Sequence, residues 1–193
     1  MIFTAIRESH DLQRDLCRKL CASRGGVAVR ELLFLQLKVE LMAHAAAEER
    51  HLYIPLLMHD AGLDASRHAL HEHHQIDELL EELSVRNKMK AGWLAHAKAL
   101  SYKVRHHLKE EESKFFQLAG RLLPARTKQQ LAGRYDREIA RMRRRYAAEL
   151  GSVTVSAKGR VQPSAATARR RSVTASARAG ATLRGRGKPR QTR

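Results

Sequence analysis

An all-α fold is predicted for this 193-residue chain by three observations. Up to about residue 150 the apolar residues recur at spacings of three and four. Clusters of β-branched residues with period-two alternation are scarce over the same stretch, and the breaks between periodic segments are short and carry Gly, Pro or polar residues. Four segments of about 20 residues with short connections predict an antiparallel up-down-up-down four-helix bundle over residues 1–120, because short loops force neighbouring helices to run in opposite directions. An additional C-terminal basic helix is expected over 121–150 and a disordered tail over 151–193.

The first helix is expected from about Phe3 to Ala22, with Ile6, His10, Leu16, Cys17, Leu20 and Cys21 facing inward and Gly25-Gly26 ending the connection after it. A second runs from about Val29 to Tyr53 and should end or kink near Pro55, whose ring clashes with the preceding turn. Asp64 or Ser66 is the expected N-cap of a third helix reaching about Val85, since either side chain can accept from a free amide. After a polar break at 87–92, a fourth helix is expected from about Trp93 to Leu118. Pro124 can open a fifth that continues to about Leu150. On that fifth helix Leu131, Tyr135, Ile139, Met142 and Tyr146 form one stripe and arginines dominate the remaining faces, so it reads as an appendage to the bundle. From Gly151 onward the chain has no acidic and no aromatic residue, and too little apolar surface to offset its conformational entropy.

The formal charge of +17 is unevenly distributed. Residues 1–120 carry 17 basic and 17 acidic side chains, 121–150 carry nine and three, and 151–193 carry eleven and none. A disordered Arg-rich segment of this kind can neutralise phosphates and associate with DNA or RNA without reading sequence, and it serves equally as a solubilising tail. No apolar run approaches the roughly 18 residues a membrane helix needs, and the N-terminal segment lacks the core of a signal peptide, so a cytoplasmic location and no membrane partner are expected. Two cysteines one helical turn apart, Cys17 and Cys21, read as reduced thiols.

All eleven histidines lie between positions 10 and 107. Helical spacing sends one from each of the four helices inward. His10 aligns with Ile6 and Cys17, His44 with Leu37, Leu41 and Leu52, His73 with Leu70, Ile76 and Leu80, and His107 with Leu100, Val104 and Phe115. Two of these are followed at i+4 by glutamate, so that His44/Glu48 and His107/Glu111 can each approach one point. Chance would give about one His-xxx-Glu pair in a chain of this composition, and five are present. His68/Glu72, His74/Glu78 and His106/Glu110 lie on polar faces and read as solvated pairs. The two on apolar stripes would bury an ionised carboxylate at high cost unless it is paired or metal-bound. Four imidazoles and two carboxylates converging from four helices can surround two cations, and mixed nitrogen and oxygen ligation suits iron, manganese or zinc, with iron favoured where carboxylates bridge.

His10-Asp11, HAAAEERHLYIPLL at 44–57, EHHQIDELLEEL at 72–83 and HLKEEESKFF at 107–116 closely resemble the four helices of hemerythrin-like (HHE) cation-binding domains. The resemblance covers about residues 1–120 and extends to the Glu-Glu pairs 48–49 and 111–112 and to the Tyr-x-Pro at 53–55. It implies a non-haem di-iron bundle with His10, His44, Glu48, His73, His107 and Glu111 as metal ligands. There are two departures. Oxygen-carrying hemerythrins place a further His one turn before the matched helix-three histidine, where this chain has Ala69, and the usual Pro after Phe116 is Gln117. Asp77 and Glu40 are the candidate substitutes for the missing ligand. Tyr53 and Tyr102 are expected as packing or rim residues that could also hydrogen-bond near the site, and His51 as a surface or near-site residue.

The expected function is to bind or sense a small oxidant (oxygen, peroxide or nitric oxide) at the iron pair. Two alternatives stand beside it: ferroxidase or iron-detoxification chemistry, and a nucleic-acid-associated sensor tethered by residues 151–193. A metal-binding or sensing role is favoured over an enzymatic one.

Overall fold

The computed structural model describes residues 1–24, 26–85, 91–151, 153–155 and 161–163. Amphipathic periodicity produces the helices. In α1 (Ile2–Cys21) the buried positions Ile2, Ile6, Ser9, His10, Gln13, Leu16, Cys17 and Leu20 form one stripe, with Phe3 and Cys21 only half-buried at its edges. Helix α2 (Val27–Glu48) passes without interruption into a π-helical turn, Glu49–Tyr53, and a last α-helical turn, Ile54–Leu57. Pro55 therefore does not stop the helix at Tyr53. The widened turn before it, in which the Ile54 amide donates to the Glu49 carbonyl, accommodates the proline, and the chain runs on to Leu57.

A single 3₁₀ turn, Asp60–Gly62, leads directly into α3 (Leu63–Val85). Neither expected cap serves: Asp64 lies in the first turn and Ser66 is buried inside the helix. Gly62 is required at this corner, since a Cβ there would sit 2.3 Å from the Leu56 carbonyl oxygen. Helix α4 (Ala91–Glu110) repeats the design of α2, continuing through a π-helical turn, Glu111–Phe115, into the short helix Phe116–Leu122. Pro124 caps α5 (Ala125–Leu150), which ends at Gly151 in the left-handed conformation, φ 65°.

The fifth helix is no appendage. Leu131, Tyr135, Ile139 and Met142 belong to the same buried cluster as Ile2, Ile6, Ala43, Ala47, Leu52 and Tyr53, and α5 packs along both α1 and α2. A stripe of four apolar residues on an otherwise basic helix had to be covered, and the face made by α1 and α2 covers it. The expectation of disorder after residue 150 also needs correction at six positions. β1 (Val153–Val155) and β2 (Val161–Pro163) pair antiparallel, Thr154 opposite Gln162, and β1 packs on α5 and α2. The remainder of the expected tail, 152, 156–160 and 164–193, lies outside the described residues, as do residue 86 and 87–90 of the expected polar break, whose last two residues belong to α4.

The bundle core holds two large apolar clusters, one with Ile2, Ile6, Ala47, Ala69 and Phe115, the other with Leu16, Phe34, Leu41, Ile76, Leu80, Trp93 and Val104, and a third, small cluster of Leu35, Val39 and Ala147 joins α2 to α5. On α1, α3 and α4 the inward histidine falls at the changeover between the two large ones: His10 between Ile6 and Leu16, His73 between Ala69 and Ile76, and His107 between Val104 and Phe115. On α2, His44 lies between Leu41 and Ala47. A polar layer is thereby enclosed above and below by hydrocarbon. Among the described residues, no helix is long and apolar enough to cross a membrane.

Candidate metal centre

His10, His44, Glu48, His73, His107 and Glu111 are all at most 5% exposed, and the fold brings all six together. Their ligand atoms fall into two groups that could each hold a cation, His10/His44/Glu48/Glu111 and Glu48/His73/His107, so that Glu48 belongs to both. His44 Nε2 lies 3.0 Å and His73 Nε2 3.5 Å from Glu48 Oε2, while His10 Nε2 lies 3.3 Å and His107 Nε2 3.9 Å from Glu111 Oε2. The Nε2 atoms of His73 and His107 face each other at 3.2 Å.

The outward nitrogens of these rings are tied down. His10 Nδ1 donates to Glu112 at 2.7 Å, His73 Nδ1 to Glu49 at 2.9 Å and His107 Nδ1 to Glu72 at 3.0 Å, whereas His44 Nδ1 meets the hydroxyl of Tyr135 at 2.9 Å. Arg14 donates to the same Glu112 oxygen as His10, and Lys103 neutralises Glu72 from its other oxygen. Each ring is thus oriented with Nε2 toward the centre, the arrangement a metal-binding imidazole requires. The π-helical turns explain how both members of each Glu-Glu pair contribute. Neighbours on an α-helix point about 100° apart, so Glu49 and Glu112 needed help to reach a partner helix while Glu48 and Glu111 stayed inward. The same widening sets an aromatic ring five residues beyond each inner glutamate: Tyr53 after Glu48, and Phe116 after Glu111, stacked 5.9 Å from His10.

Tyr53, expected as a packing or rim residue that could also hydrogen-bond near the site, has its hydroxyl between the inner carboxylates. It donates to Glu111 Oε1 at 2.8 Å and lies 3.0 Å from Glu48 Oε2 and 3.5 Å from His73 Nε2. Neither proposed substitute for a missing ligand joins the centre. Asp77 is on the surface, and Glu40, although fully buried, is engaged by Arg143 and Ser9. Tyr102 is exposed on α4 and stacks with His106, and His51 is half-buried. Cys17 lies in the apolar core, where burial pushes its thiol up to about 12, and neither cysteine joins a cation-holding group. Glu72, read as part of a solvated pair, is buried, because α3 turns its Lys103- and His107-bound edge toward α4.

Burial lowers the His10 pKa, but the facing carboxylates of Glu111 and Glu112 outweigh it and raise the group to about 9; burial likewise loses to Glu48 and Glu49 at His73, which rises to about 10, so an incoming cation displaces a proton from each ring. At His44 burial prevails and the pKa falls. Burial would raise Glu48, yet the facing His44 holds it well below the ordinary carboxylate range. Four buried ligand-type atoms, His10 Nε2, His44 Nε2, Glu48 Oε1 and Glu111 Oε2, have no hydrogen-bond partner. Orphaned atoms of this kind, aimed at one another from three helices, are costly in a metal-free interior and are satisfied by a cation.

The sequence profile of the hemerythrin HHE cation binding domain matches residues 1–119. The chain belongs to this family. Its residues thus fit the cation binding for which the HHE domain is named. No curated protein matches the chain. Among solved structures it is similar to an HHE cation binding domain-containing protein from Mycobacterium kansasii, with a TM-score of 0.65 and 22% identity over 73% of this chain and 86% of that one. That likeness shows an HHE fold; α5 lies beyond the profile match.

Proposed function

We propose that this HHE protein, an up-down-up-down bundle, holds two irons through His10, His44, Glu48, His73, His107 and Glu111, and binds or senses a small oxidant there. The observation that supports this most directly is the convergence of four Nε2 atoms on two shared carboxylates, with four of the ligand atoms orphaned. Iron bound there supplies a redox couple and exchangeable coordination positions. The protein's residues hold the imidazoles by Nδ1, keep the layer dry between two apolar clusters, and leave an approach from α3 and α4. That approach is a pocket of about 320 Å³ lined by Ala69, His107, Glu111, Phe115 and Leu118, on the side where the oxygen carriers' extra histidine is absent. Its size suits oxygen, peroxide or nitric oxide.

Protein loaded anaerobically with ferrous iron is expected to hold about two irons per chain and to develop near-ultraviolet and visible absorption under air but not under nitrogen. Unchanged iron content in His44→Ala and Glu111→Ala would overturn the site. Zinc or manganese in protein from its own host would redirect the chemistry.

One observation favours ferroxidase chemistry as a second reading: His68, Glu72 and Glu110 form another group able to hold a cation, and all three line the same pocket. Catalytic turnover of added ferrous iron, against stoichiometric binding, separates the two. The basic segment 151–193 supports non-specific association with nucleic acid, which should weaken steeply with salt and disappear when that segment is removed.

A further inference from the structure

We infer that α5 completes the metal centre: Tyr135, whose hydroxyl lies 2.9 Å from His44 Nδ1, is a positioning residue that holds the orientation of His44. The inference rests on the di-metal reading above and adds a component that the profile match over 1–119 does not contain.

The starting point is an asymmetry. Three of the four inward imidazoles have a carboxylate directly on Nδ1, and His44 alone among them has a phenol. An ionised carboxylate only accepts hydrogen bonds, so it forces the proton onto Nδ1 and leaves the Nε2 lone pair free for a metal. A phenol both donates and accepts. If Tyr135 donated to Nδ1, the His44 proton would sit on Nε2, and the ring could not ligate.

With a metal at Nε2 the His44 proton would sit on Nδ1 and donate to the Tyr135 oxygen at 2.9 Å, so the phenol from α5 would hold this ring as a carboxylate holds each of the other three.

Ala43 and Ala47, both fully buried beside His44 on α2, let α5 approach closely enough for the phenol to reach the ring.

Full-length Tyr135→Phe, which keeps the ring and its packing, is titrated with cobalt(II) alongside wild type, reading the number of metals bound, their affinities and the visible d–d spectrum. The metal held by His10, His44, Glu48 and Glu111 should bind about 10–100-fold more weakly, while the one held by Glu48, His73 and His107 keeps its affinity. Tyr146→Phe, another phenol lost from α5, should change neither. Two metals bound by Tyr135→Phe with wild-type affinities would overturn the inference while leaving the di-metal reading intact, and equal weakening of both metals would overturn it as well. Failure of wild type to bind metal is the separate outcome that defeats the reading on which it rests.

Discussion

Glu112 Oε1 accepts from His10 Nδ1 at 2.7 Å, across 102 positions of sequence, and so turns Nε2 of that ring toward Glu111. Glu49 and His73 stand in the same relation at 2.9 Å, each glutamate being the second of a Glu-Glu pair at the head of a π-helical turn. Glu112→Gln and Glu49→Gln should each weaken metal binding by about 10–100-fold without abolishing it, because an amide can present its NH₂ to the ring and favour the wrong tautomer. Competition with a chelator of known affinity measures this; affinities equal to wild type would contradict it.

Tyr53 donates one proton between two buried carboxylates. In the metal-free chain Tyr53→Phe leaves those oxygens less well satisfied, and a loss of about 1–3 kcal/mol is expected in urea unfolding of the apoprotein. With metal bound the carboxylates have a cation, and the penalty should shrink. A penalty of equal size in both forms would show that the hydroxyl acts only through packing.

The pH dependence of the metal-free chain follows from opposite shifts. His10 and His73 are raised from 6.5 to about 9 and about 10, so their contribution to stability is complete below pH 6.5 and is lost as pH rises through 9 to 10. Glu72 and Glu112 are lowered from 4.5 to about 2, so theirs is complete above pH 4.5 and is lost toward pH 2. The apoprotein should therefore melt highest between about pH 4.5 and 6.5. Metal must displace the protons on His10 and His73, so loading at pH 7 should release about two protons per chain, read from calorimetry in buffers of different ionisation enthalpy. A melting temperature flat from pH 6 to 9, or loading without proton release, would contradict this.

Ala69 lines the pocket that ends on His107 and Glu111. Ala69→Phe places a ring in that space while leaving every expected ligand in place. Iron content should remain near two per chain, and the rate of nitric oxide binding to the ferrous form should fall by about tenfold or more, measured by stopped-flow absorbance. Unchanged kinetics would mean that small ligands enter elsewhere.

The helices and the six inward residues were legible because helical periodicity is a local property: a His on an apolar stripe, with Glu four residues on, declares its face without knowledge of the partner helix. The supporting residues were not. Glu72 shares a segment with His68, His71 and His74 and looks solvated until α4 is laid against it. Glu40 was offered as a substitute ligand because it sits one turn from His44, but the guanidinium of Arg143, 103 positions away, claims it.

The sequence by itself determined the helical class, the face of each histidine and the confinement of excess positive charge to the last third, since these depend only on residue type and spacing. Tertiary structure alone decided that Glu49 and Glu112 turn inward through π-helical turns, that Tyr53 sits between the carboxylates, and that the basic fifth helix is core with Tyr135 against His44. Those outcomes depend on which surfaces meet across 24 to 102 positions, and a hydrogen bond formed at that range leaves no mark on local periodicity.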